Sequence, residues 1–290
     1  MTGQRSRNLY IRLGRAVILF SLLAFNITIC SAAEHRADVK PALRVCAAPN
    51  NLPFSNSKGE GFENALARLI ARDLKRPVSY TWWPGRGSSL HNASRAASCD
   101  IVMGIPPDYK FVRPTLPYYR STYAFVTRRD GGAPIDTLDD PRLKHLRIGI
   151  HVTGGDYDHM QLAQALAARR IVDNLRGYAI YGDYSDPNPP RTLIDAVAVN
   201  EIDVAIAWGP IAGYFAHRQA VALDVTPMRA TREAVPMTFD IAIGVRRGDP
   251  SLASELDAVL LRRSREIQRL LDGYHVPQVT RPRMLAKLDD

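Results

Sequence analysis

The sequence predicts an α/β protein built as two parallel-sheet lobes joined by a two-strand hinge, with a cleft between the lobes. Three observations lead there. Short continuous apolar runs such as LRVC, DIVMGI, LRIGI and DVAIAW alternate with segments of helical period, the mark of buried parallel strands and crossover helices. Two runs, TYAFVTRRD and FDIAIGVRRGD, each carry a strand pattern into Arg-Arg and a turn. Between them lie about a hundred residues with their own alternation of strands and helices, which a chain needs if it is to leave one lobe, build a second and return.

The chain has 290 residues, enough for two lobes of ordinary size, and its 46% hydrophobic and 23% charged content lies in the globular range. The first segment is a separate object. Arg5, Arg7, Arg12 and Arg15 precede the apolar run AVILFSLLAFNITI, and small residues follow at Ser31-Ala32-Ala33, so residues 1–33 read as a secretory signal peptide cleaved near Ala33. The other reading, a membrane anchor, needs a longer apolar stretch, and no stable membrane insertion is expected. Cys30 does not make a lipoprotein site, because Ile29 stands where a small side chain is required. Losing residues 1–33 removes four arginines and no acid, which trims the net charge from +9 to +5. The remaining basic residues occur singly or in pairs, and RRSR near the C-terminus reads as a solvated helix face, so no nucleic-acid site is expected.

Along the exported part, LRVCAA is a buried strand and PNNLPFSNSKGE a loop of turn formers. Phe62, Leu66, Leu69, Ile70 and Leu74 fall at helical spacing, and Pro77 stops that helix. VSYTWW is the second strand, SSLHNASRAAS a polar helix and CDIVMGI the third strand. The second lobe reads as strand LRIGI, Gly-rich turn HVTGGDYD, helix HMQLAQALAARR, strand and loop GYAIYGDY, helix PRTLIDAVAVN, strand DVAIAW and helix PIAGYFAHR with Pro210 in its first turn. VALDVTPM follows, FDIAIGVRR returns to lobe I, and SLASELDAVLLRRSREIQRLLDGY reads as one long amphipathic helix. Lobe I therefore spans residues 41–129 with 237–290, and lobe II residues 130–236.

Cys46 and Cys99 are the cysteines left after cleavage. An even pair in an exported chain, on strands expected to be neighbours, suggests a disulfide; two buried thiols are the alternative.

The order LRVCAAPNNLPFSN, GFEN, CDIVMG, PYYRSTYAFVTRRD, YGDYSDPNPP, DVAIAWGPIAGYFA and FDIAIGVRRGD resembles the type II periplasmic binding protein fold over roughly Leu43 to Tyr274. More narrowly it resembles the quinoprotein-dehydrogenase-associated binding proteins, the MxaJ/XoxJ-type accessory proteins of methanol oxidation. GFEN and the hinge strands speak for the general fold; PNNLPFSN, PYYRSTYAFVTRRD and PNPP speak for the narrower family. The resemblance implies a periplasmic, non-enzymatic protein that supports assembly, activation or electron-transfer coupling of a dehydrogenase dependent on pyrroloquinoline quinone (PQQ), with that enzyme and its c-type cytochrome as partners. Amino-acid-binding members of the fold hold the ligand carboxylate with a Thr and an Arg after the third strand, where this chain has Tyr109 and Lys110. They hold the ammonium with an Asp where this chain has Trp208. Both changes remove charge complementarity to an α-amino acid.

Ligands of open α/β sheets bind beyond the carboxyl ends of the strands. That rule selects Asn50, Asn51, Phe54, Trp82, Trp83, Tyr109, Tyr119, Arg120, Gly154, Gly155, Asp156 and Trp208, a set rich in rings and poor in charge. It suits an uncharged or aromatic solute, or an inserted part of a partner protein. Each Trp can equally be a core or rim residue. Asp156 or Asp158 can cap the helix after HVTGGDYD, and no P-loop ending follows. His151, Asp156, Asp158 and His159 fit no recognised metal spacing, and no nucleophile motif or cofactor signature is present. Two other readings stay open: the substrate-binding component of an ABC importer, and a cleft dehydratase.

Overall fold

A computed structural model describes residues 40–83, 98–152, 160–180, 188–229 and 236–279. The signal-peptide segment, the expected helix SSLHNASRAAS up to its last residue, Ser98, and the turn holding Gly154, Gly155 and Asp156 lie outside the described residues.

Strand β1, Leu43–Ala47, is flanked in parallel by β4, Val78–Trp82, and β5, Ile101–Ile105. Two short strands, β2, Asn50–Asn51, and β3, Ser55–Asn56, make a hairpin within the stretch PNNLPFSNSKGE that the sequence marks only as a loop. Helix α1, Phe62–Leu74, follows and buries Phe62, Leu66, Leu69, Ile70 and Leu74, the residues whose spacing predicted it. Its first turn is capped from within: Asn64 Oδ1 accepts from the backbone N–H of Asn56 and of Gly61. Gly61 is required there, since a Cβ would sit 2.0 Å from the Phe54 carbonyl oxygen.

The second set of strands has the same design. β8, Ile148–Val152, pairs in parallel with β9, Leu175–Ala179, and with β10, Val204–Trp208. Helices α2, Met160–Ala168, α3, Thr192–Ala198, and α4, Gly209–Ala216, lie between and after them. Burial on both faces explains the unbroken apolar runs: Val204, Ala205, Ile206 and Ala207 are all fully buried.

Two strands join these halves. β7, Tyr119–Arg128, pairs antiparallel with β10 and with β11, Leu223–Pro227. β12, Thr238–Val245, pairs antiparallel with β5, with the two-residue β6, Arg113–Pro114, and with β7 through Tyr119 to Thr122. The order β4-β1-β5-β12-β7-β10-β8-β9 is thus one continuous path, whose centre is the β12–β7 pair. Arg120 and Asp240 stand directly opposite in it and form an ion pair at 3.1 Å. The two-lobe α/β fold expected from the sequence is the fold observed.

One element differs. The expected long C-terminal helix is two helices, α5, Pro250–Arg262, and α6, Ser264–Gly273, with Arg263 out of helical geometry between them. α5 buries Leu252, Leu256, Val259 and Leu260, and α6 buries Ile267 and Leu271, so a bend lets both apolar faces reach the same core. Beyond α6 the chain crosses the hinge, where Ser121 Oγ donates to the Pro277 carbonyl at 2.5 Å and Val279 N–H donates to that of Arg120 at 3.2 Å.

Candidate functional site

The strand ends of the two halves meet at the β2–β3 hairpin. Leu52, at its tip, is 7% exposed and belongs to the apolar cluster of α3, β10 and α4 in the second half, with Leu193, Ile194, Ile211 and Phe215. Phe54 packs against this cluster and against that of the first half. Asn50 Oδ1 accepts from the backbone N–H of Asn188 at 2.9 Å, a bond between parts of the chain 138 residues apart. The hairpin is therefore a strut of the first lobe set into the second. Truncating it by Leu52→Ala should lower stability by about 2 kcal/mol, toward the small end for a buried leucine because the hairpin can relax. The variant should also show a larger radius of gyration in solution scattering, and an unchanged radius and unfolding midpoint would refute the strut.

Trp208 ends β10 and packs against the clusters of both halves. Its ring lies edge-on to Tyr123 and to Phe239, each at 5.7 Å. Tyr119 meets Phe62 edge-on at 5.9 Å, and Phe62 meets Phe54 at 5.4 Å and Tyr274 at 5.8 Å. A chain of rings thus runs from the hairpin to the hinge. Tyr274 also stacks on Tyr214 of α4 at 5.7 Å, tying the end of α6 to the second half.

Not every expected residue joins this group. Trp82 stacks on Tyr80 at 4.7 Å, as residues two apart on a strand do. Trp83 and Tyr109 pack instead on a separate small cluster of Cys46, Cys99, Val102, Ile105 and Val112. Cys46 and Cys99 are disulfide-bonded there. Arg120 belongs to the hinge ion pair, and Asn51 pairs with Ser55 in the hairpin. The structure therefore gathers Asn50, Phe54, Tyr119 and Trp208 beside the hinge and sets Trp82, Trp83 and Tyr109 apart.

Sequence reading missed a buried carboxyl. Glu63, in the first turn of α1, is 8% exposed and accepts a hydrogen bond from the Tyr118 hydroxyl at 3.1 Å. Burial pushes its pKa up to about 7, with the Tyr118 bond pulling the other way. Burial and the Glu63 charge push the Tyr118 and Tyr119 hydroxyls up as well. Gly104 makes the arrangement possible: it holds φ +72, and a Cβ there would lie 2.5 Å from Glu63 Oε1. In sequence Glu63 appears only as part of GFEN, a motif that speaks for the general fold. Among the described residues there is no group of three or more His, Cys, Asp or Glu suited to a metal, and no helix long and apolar enough to cross a membrane.

No family model matches the chain. Protein MoxJ of Methylorubrum extorquens is 31% identical over 257 residues, covering 85% of this chain and 84% of that protein. The chain belongs to the MoxJ/XoxJ family of periplasmic binding proteins. Protein MoxJ of Paracoccus denitrificans is 25% identical and covers 81% of this chain and 88% of its own. The crystal structure of the periplasmic binding protein XoxJ from Methylobacterium extorquens AM1 superimposes with a TM-score of 0.67 at 34% identity, covering 83% of this chain and all of that one. Membership of this family carries the periplasmic setting and the methanol-oxidation context that the motifs implied.

Proposed function

We propose that this chain is a non-enzymatic periplasmic accessory protein that supports assembly, activation or electron-transfer coupling of a PQQ-dependent alcohol dehydrogenase, methanol being the expected substrate class. Its partners are that dehydrogenase and, through it, a c-type cytochrome. We adopt the division into residues 41–129 with 237–290 and residues 130–236 as its two lobes. The observation that supports the reading is that Leu52 and Phe54 from one half and Trp208 from the other pack on one apolar cluster where the halves meet. An importer's receptor keeps that space for a solute and closes on it. Here Arg120, the cation of the candidate group, is paired with Asp240 across the hinge and is not left to hold an amino acid's carboxylate.

Tagged protein recovered from periplasm under native conditions is expected to bring the quinoprotein dehydrogenase with it. Recovery without dehydrogenase or cytochrome, together with a small solute that raises the melting temperature by binding linkage, would favour the importer reading instead.

A further inference from the structure

The sequence shows RRSR as a solvated helix face, but the fold sets it against a second basic segment. The C-terminal turn of α1 carries Arg72 and Lys75, and the junction of α5 with α6 carries Arg262, Arg263, Arg265 and Arg269. Three of these six cations, Arg72, Arg262 and Arg263, hold two carboxylates. Asp73 is gripped by Arg262 and by Arg263, the latter at 2.6 Å, and Glu266 is shared between Arg263 at 3.6 Å and Arg72 at 4.0 Å. Arg269 reaches back one turn to the Arg265 carbonyl. Lys75, Arg265 and Arg269 are exposed, as are Arg72, Arg262 and Arg263 in large part. Leu261, 67% exposed, stands beside them, one turn after the Asp257 carboxylate that accepts from the backbone N–H of Leu116, itself 45% exposed.

We propose that this face is a docking surface for an acidic protein, whose Asp and Glu side chains would take the surplus guanidinium groups around a small apolar centre at Leu261 and Leu116. The inference rests on the accessory role proposed above and names the face and the partner chemistry. Three features select this occupant. Guanidinium pairs grip a carboxylate bidentately, and this surface already grips one of its own in Asp73. A membrane-surface helix needs a free apolar face, whereas Ile267 and Leu271 of α6 are packed in the core. A second copy docking through a two-fold axis would bring like charge onto like charge.

The test is binding of the purified protein to a PQQ-dependent alcohol dehydrogenase purified from the same periplasm, compared with a variant carrying Lys75→Glu, Arg265→Glu and Arg269→Glu. These positions lie outside the Asp73 clamp, so circular dichroism and the melting temperature should match the parent. The expected result is a Kd at least about tenfold higher for the variant at low salt, and a parent Kd that rises with salt. Leu261→Ser should weaken binding without changing the salt dependence. Equal affinity of parent and triple variant would overturn the docking face while leaving the accessory role standing. No binding by the parent would overturn both. Charge-dependent binding to phosphatidylglycerol vesicles without binding to the dehydrogenase, or self-association lost in the variant, would overturn the inference in favour of a lipid surface or a second copy.

Discussion

Replacing Cys46 and Cys99 together by serine should lower the unfolding free energy by about 4 kcal/mol. The bond closes a loop 53 residues in sequence separation, and the chain-entropy relation gives about that figure for such a loop. Native packing should change little, because the bond ties Cys46 of β1 to Cys99, two residues before the adjoining β5, and the register of those strands, Val45 opposite Ile101, is also held by the sheet. Arg44 adds an anchor at the same edge, donating from its backbone N–H and its guanidinium to Asp100. Guanidinium chloride unfolding of parent and double variant measures the effect, and coincident midpoints would refute it. Adding reductant to the parent should reproduce the loss, since a cross-link and not a side-chain contact is being removed.

The second large effect is a pH dependence of stability centred on Glu63. Its folded-state pKa is about 7 against an ordinary 4.5, so between those values the folded protein holds a proton that the unfolded chain has released. Stability must therefore fall as pH rises through that window, by about 3 kcal/mol in all, and level off above pH ~7 where both states are ionised. Glu63→Gln supplies a neutral side chain of the same length at every pH. It should flatten the profile and raise stability relative to the parent above pH ~7 by up to about 3 kcal/mol. Profiles that stay parallel from pH ~5 to pH ~8 would show that Glu63 does not titrate in this range.

Glu63 also marks how far the sequence could be read. The lobes, hinge strands and disulfide were legible because each rests on a local or pairwise signal: unbroken apolar runs for strands buried on both faces, helical spacing in α1, an even count of exported cysteines. Glu63 gives no such signal. Its burial depends on Gly104 taking a left-handed conformation and on Tyr118 arriving from a loop 55 residues away. Leu52 is likewise one apolar residue among turn formers, and only its seat among Leu193, Ile211 and Phe215 gives it meaning.

The separation of the tryptophans had a partial signal. Adjacent residues of an extended strand point to opposite faces, so Trp82 and Trp83 do not share one wall. Which face each would meet depended on where the disulfide cluster lay. The break at Arg263 was hidden for a similar reason: the amphipathic pattern continues through it, and only the shape of the core demands a bend there.

β7 serves in both halves of the sheet, pairing with β12 near Tyr119 and with β10 and β11 further on. A continuous ribbon of this kind resists being pulled apart along its length, but it twists readily. Twist about that ribbon, and not sliding, is the motion its pairing leaves open, and the Leu52 strut and the Tyr274–Tyr214 stack hold it in check like a bolt across a door.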